Sequence, residues 1–176
     1  MRKKRLHLVV FPLAILFLLS GLAITAYAQV EFSSTLQGKN EVPPVKTKAT
    51  GKIVFRFWTG HEMGEIGLDY TLAVKDVKDA MGAQIHLGKP GENGPIVAVL
   101  CSRKKKGEFT GELSHGRIVS SDLVGPLEGK TLGDLMDEII NGNAYVSVST
   151  LAHPKGEIRG PLKCPRSICP AQFWRK

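Results

Sequence analysis

The sequence predicts an all-β domain, a Greek-key sandwich or barrel carrying one short helix. Strand-like runs alternate apolar and polar residues with period two, and 19 glycines and 10 prolines help cut them into short lengths. A single stretch shows helical period instead. Many short strands separated by turn residues argue against the regular strand–helix alternation of an α/β fold.

The chain opens on a segment in three parts. Arg2, Lys3, Lys4 and Arg5 are basic, Leu8 to Ile24 is apolar and uncharged, and Ala26-Tyr27-Ala28 places small residues where a signal peptidase reads. The pattern predicts export with cleavage after Ala28, leaving Gln29 first and no cysteine there for lipid attachment. An uncleaved N-terminal membrane anchor is the alternative, because 17 apolar residues stand at the lower edge of what spans a bilayer. The expected organisation is a signal peptide over residues 1–28, a β domain over 29–163 and a cysteine-containing tail over 164–176. The formal charge of +8 falls to +4 without the leader, too mild for a nucleic-acid binder, and no second long apolar stretch predicts a membrane span.

Val30–Leu36 starts the sheet. Gly51–Trp58 follows, with Ile53, Phe55 and Phe57 on one face and Lys52, Val54, Arg56 and Trp58 on the other. Ile66, Leu68, Tyr70 and Leu72 repeat the alternation. Further strands fit Ala83–Leu87, Ile96–Leu100, Phe109–Leu113, Tyr145–Thr150 and Gly156–Leu162. The helix comes from Leu132, Leu135, Met136, Ile139 and Ile140, which make one apolar stripe for core packing. Thr131 is its N-cap with Asp134 three residues on, and Asn141-Gly142 stops it.

Loops hold the distinctive residues. Asn40-Glu-Val-Pro-Pro44 leaves the first strand, and Gly88-Lys-Pro-Gly-Glu-Asn-Gly-Pro95 makes a rigid, twisting connection. Arg103, Lys104, Lys105 and Lys106 read as a solvated hairpin tip, with contact to an anionic surface as the functional alternative. Cys101, Cys164 and Cys169 are an odd count, which predicts one disulfide and a leftover thiol, or a link to another chain. Cys164 with Cys169, or Cys101 tying the tail back, are both open. Their spacing does not match a zinc site.

Four segments in this order resemble the CHRD domain, the module named after the secreted animal protein chordin. They are Leu36-Gln-Gly-Lys-Asn-Glu-Val-Pro-Pro44, Ala83-Gln-Ile-His-Leu-Gly88 with Gly91-Glu-Asn-Gly-Pro95, Leu123-Val-Gly-Pro-Leu127, and Tyr145-Val-Ser-Val-Ser-Thr150 with Pro154-Lys-Gly-Glu-Ile-Arg-Gly160. The resemblance spans about residues 30 to 162. It implies an all-β Greek-key domain with a loose likeness to the copper/zinc superoxide dismutase sandwich, and it supplies no settled activity. It also singles out Glu41, Pro43, Pro44, Gly88, Gly94, Glu157 and Arg159 as the structural motif.

Two departures bear on function. Where the family usually has His-Ile-His this chain has Gln84-Ile85-His86, and where it usually has Val-His-Thr this chain has Val148-Ser149-Thr150. Gln84 and Ser149 are poor ligands for a transition metal. If Gln84, His86 and Ser149 share a face they form a neutral hydrogen-bonding cluster. His153 could swing in to make a two-histidine site with His86, while His61 and His115 read as surface turn residues. Glu157 and Arg159 alternate around Ile158 and either pair with each other or leave Arg159 to Glu41.

No serine carries the local context of a nucleophile, and no glycine-rich loop opens a helix to hold phosphate. The expected function is therefore that of a non-catalytic extracytoplasmic module, with no cofactor and no metal, whose partner is a protein or an envelope polymer. A metal-binding redox protein with a degraded histidine site is the alternative.

Overall fold

The computed structural model describes residues 30–59 and 66–165, together with Ser167 and Cys169. The expected signal segment and His61 lie outside the described residues. The all-β expectation holds: seven strands, a single α-helix and three short 3-10 turns make up the described chain.

Strand β1 (Glu31–Gln37) pairs antiparallel with β2 (Thr50–Thr59), and β2 pairs along its length with the start of β3 (Ile66–Leu87). The end of β3 pairs with β6 (Ala144–Thr150), β6 with β7 (Ile158–Leu162), and β7 returns to β1 through Gln37 and Arg159. The ring therefore closes through β3, which both begins and ends it. Closure leaves β1, β2, β6 and β7 paired on both edges.

Sequence patterning separates Ile66–Leu72 from Ala83–Leu87, but the two are one strand. Its buried positions run Leu68, Leu72, Val74, then Val77, Ala80, Ala83 and Ile85, so the inward parity slips three times between Val74 and Ala83 and is regular again to Ile85. Bulges produce the slips, with Asp76 at φ 56° and Asp79 at φ 51°. Asp is among the few residues that adopt this region readily. The Asp79 carboxylate accepts the Gly107 N–H at 2.7 Å, and the Asp76 N–H donates to Thr110 Oγ1 at 3.0 Å, so both bulges are tied to the neighbouring strand.

That neighbour corrects a second expectation. Strands β4 (Ile96–Cys101) and β5 (Lys105–Ile118) both run antiparallel to β3 along the edge opposite β6, with Ala83 facing Cys101 and Ala80 facing Lys105. Arg103–Lys106 is thus no hairpin tip. It is an exposed junction where one long course of chain passes from β4 into β5. His115 likewise lies on β5 rather than in a turn, exposed, with its ring 2.6 Å from Glu112.

The core fills the inward side with Leu36, Ile53, Phe55, Leu72, Ile85, Val146, Val148 and Ile158. Helix α1 (Leu132–Ile140) adds Leu132, Leu135, Met136 and Ile139, all fully buried, against β3 and β6. Thr131 Oγ1 accepts the Asp134 N–H while the Asp134 carboxylate accepts the Thr131 N–H, and Gly142 at φ 74° ends the helix. Cys164 and Cys169 form a disulfide in the tail, and Cys101 is a free, buried thiol. No helix among the described residues is long and apolar enough to cross a membrane.

Candidate functional site

Side chains alternate across a strand, so if Ile85, Val146, Val148 and Ile158 point inward, their neighbours share the other face. The register sets His86 opposite Tyr145, Gln84 opposite Ser147, Gly82 opposite Ser149 and Ser147 opposite Arg159. Two loops fold over this polar band. Residues 38–49 join β1 to β2, and 88–95 join β3 to β4.

Arg159 is the hub. It is 5% exposed, and its Nε lies 3.2 Å from Glu41 Oε2, with Glu41 itself 4% exposed. The Nε–H does not align on that oxygen as a hydrogen bond, so the contact is an ion pair rather than a directed bond. The remaining guanidinium donors reach the β3–β4 loop, Nη1 to Glu92 O at 2.9 Å and Nη2 to Asn93 Oδ1. Asn93 donates onward to Val42 O at 2.8 Å, and Asn40 donates to Arg159 O at 3.0 Å, so both loops are tied to β7 and to each other. Ser147 Oγ donates to Glu41 Oε1 at 2.8 Å. Of the pairings open to Arg159 in the sequence, the structure has the one with Glu41; Glu157 instead accepts from Thr47 Oγ1 at 2.6 Å.

The guanidinium also lies 3.8 Å over the Tyr145 ring, and Tyr145 stacks on His86 at 4.9 Å with 6° between planes. A cation stacked on a desolvated aromatic is worth about 2 kcal/mol. His86 Nδ1 lies 2.9 Å from Gly94 O, which can only accept, so the proton sits on Nδ1. Gly94 N–H in turn donates to the Tyr145 hydroxyl at 3.1 Å.

Burial pushes the His86 pKa down, the Gly94 bond and the Glu41 charge pull it up, and the Arg159 charge pushes it down further; the net direction is down from 6.5. The folded protein therefore holds a neutral ring that the unfolded chain would protonate first. That contribution is complete above about pH 6.5 and is lost as pH falls below it through the depressed folded value. Urea midpoints between pH 7.5 and 5 should drop more in the wild type than in His86→Phe, which keeps the stack and removes the titration. Equal slopes would show that His86 does not carry the effect.

The candidate positions from the sequence are only partly gathered here. Gln84 and Ser149 are half-buried on the same face as His86, but Ser149 stands opposite Gly82, four residues along the ladder from the position facing His86. That is roughly 13 Å at strand rise, so His86 and Ser149 do not converge on one centre. His153 lies beyond Thr150, to which its backbone bonds, and Thr150 pairs with Ala80, farther still from His86. The polar cluster of Gln84, His86, Ser149 and His153 is thus spread along the ladder. Among the described residues no group of three or more His, Cys, Asp or Glu could hold a metal ion.

Between the two loops is a half-open pocket of about 430 Å³, lined by Lys39, Glu41, Val42, Pro44, Lys89, Pro90 and Pro161 among others, with Tyr145 and Arg159 in its floor. Sequence reasoning passed over Tyr145, Asn93, Lys39 and Lys89. Tyr145 read as an ordinary strand residue because its partner His86 is set by cross-strand register.

Comparison with known proteins agrees with the four segments. The family model of the CHRD domain matches residues 32–162. Chordin from Xenopus laevis is 29% identical over 140 residues, covering 75% of this chain and 13% of that protein. The chain thus corresponds to about an eighth of the length of that relative. No solved structure matches.

Proposed function

The chain belongs to the CHRD domain family, and from that premise we propose that it is a non-catalytic, extracytoplasmic binding module that takes its partner at the loop-capped end of the barrel. The observation that carries this reading is the pocket between the two loops, whose floor is fixed by the buried Glu41–Arg159 pair and the Tyr145–His86 stack. A concavity braced in this way needs little reordering on binding, which lowers the cost of association. The likeness to chordin supports a binding role for the module. The basic start, apolar run and Ala26-Tyr27-Ala28 site support export, as does the Cys164–Cys169 disulfide, since such bonds persist in oxidising compartments. On this reading residues 1–28 are removed, 29–163 fold as the domain and 164–176 form a stapled tail.

The partner is a protein or an envelope polymer. N-terminal sequencing of exported protein should begin at Gln29, and a product that keeps Met1 in the membrane would make the segment an anchor. The labelled 29–176 chain should be retained by the native surface fraction. Pro44→Trp and Pro90→Trp, which fill the pocket from opposite loops, should each cut retention about tenfold or more while leaving the circular dichroism spectrum intact. Retention that survives both but is lost when Arg103, Lys104, Lys105 and Lys106 become Gln would move the site to the exposed β4–β5 junction and an anionic surface.

A further inference from the structure

The polar side chains in the floor of the pocket are largely committed. Glu41 and Arg159 hold each other, Asn40 Nδ2 donates to Arg159 O, the Tyr145 hydroxyl accepts from Gly94, and Gly88 N–H donates to Asn143 O. Pro44, Pro90 and Pro161 have no N–H to offer. Among the charged side chains of the lining, two ammonium groups are left free, Lys39 on one loop and Lys89 on the other, both exposed and without an ion-pair or hydrogen-bond partner among the described residues. The walls between them are Val42, the three prolines and Ala144.

A neutral peptide segment would offer the two ammonium groups no counter-charge. An uncharged apolar molecule would leave the two lysines unused. A cation would meet them directly and find no unpaired carboxylate in the lining to offset them. Resting on the reading that this end of the barrel is a binding site, we infer that the pocket takes a small anionic amphiphile. Its carboxylate would lie between Lys39 and Lys89, and its apolar body against Val42, Pro44, Pro90 and Pro161. The charge-assisted contacts would fix the head, and burial of the tail would supply most of the affinity.

The test titrates the intact 29–176 domain by calorimetry with sodium decanoate below its micelle-forming concentration. One saturable site is expected. The double variant Lys39→Gln with Lys89→Gln should weaken it by about tenfold or more, given what charge-assisted contacts contribute. Pro44→Trp should abolish it, and decan-1-ol and decyltrimethylammonium should bind more weakly than decanoate. Absence of a saturable site, equal affinity for the alcohol, or binding only to anionic phospholipid vesicles would each overturn the inference. If decanoate fails while surface-fraction retention remains sensitive to Pro44→Trp, the ligand class is wrong and the binding-module reading stands. If retention is insensitive to the tryptophans as well, both fall.

Discussion

Glu41→Gln is expected to lower stability by about 3–5 kcal/mol, the cost of leaving one member of a buried ion pair alone. The substitution is nearly isosteric and keeps an oxygen for Ser147 Oγ to donate to, so the loss isolates the charge rather than the packing. Both side chains are nine-tenths or more buried, and water cannot easily take over the guanidinium's lost partner. Against a total of about 5–15 kcal/mol for a domain, this is a large fraction, and at about 2–4 °C per kcal/mol it should lower the melting temperature on the order of 10 °C. Arg159→Met should do comparable damage, because it strands Glu41 and frees Glu92 O and Asn93 from β7. The double variant Glu41→Gln with Arg159→Met removes both charges. Its measured loss in urea unfolding should be smaller than the sum of the singles by about 1 kcal/mol or more, the coupling expected of residues in contact. Additive losses would mean that the two side chains act independently.

The reach of the sequence follows from which physical signals are local. Helix α1 was legible to its caps because Thr131, Asp134 and Gly142 all act within one turn of the residues they terminate. Strands β1, β2 and β6 were legible because their parity is unbroken, as with Ile53 and Phe55 facing inward. Strand β3 was split because Lys75-Asp-Val-Lys-Asp79 loses alternation and looks like a turn. Only pairing with Thr110 and Gly107 on β5 shows that the two aspartates are bulges in a continuous strand.

The candidate site divides along the same line. Motif resemblance drew attention to Glu41, Gly94 and Arg159 but could not say that they are joined through Tyr145 and Asn93. That junction depends on contacts between loops and strands far apart in sequence, such as Glu41 and Arg159, which are 118 positions apart. The spread of the polar cluster has the same origin. Residues 84, 86 and 149 do share a face, yet sharing a face does not set distance along a ladder, and His86 and Ser149 end up four residues apart on it. The basic run Arg103–Lys106 misled because polarity marks exposure, and an exposed junction between collinear strands is as polar as a hairpin end.

Gly94→Ala should be among the most damaging single changes outside the core. Gly94 does not need a left-handed backbone; it needs space. A Cβ there would stand far inside the contact distance of Leu87 O and 2.7 Å from the Leu87 carbonyl carbon. Those are backbone atoms, fixed by the Leu87 N–H bond to Pro95 O at 3.0 Å, and cannot swing aside as a long side chain would. One methyl therefore forces the loop off the end of β3. It takes with it the His86 Nδ1 bond to Gly94 O, the Gly94 bond to Tyr145, and the adjoining Asn93 contact with Arg159. Overpacking costs about 1–3 kcal/mol and each lost hydrogen bond about 1, so a loss of about 3–5 kcal/mol is expected. Gly91→Ala is the control from the same loop. Its φ of 87° strains any side chain, but no atom lies within 4 Å of the new Cβ, so the change should cost only about 1–2 kcal/mol. Urea unfolding of the two variants side by side separates space from conformation. A Gly91→Ala loss equal to or greater than that of Gly94→Ala would show that the loop is held by its own turn geometry rather than by its seat against Leu87, His86 and Tyr145.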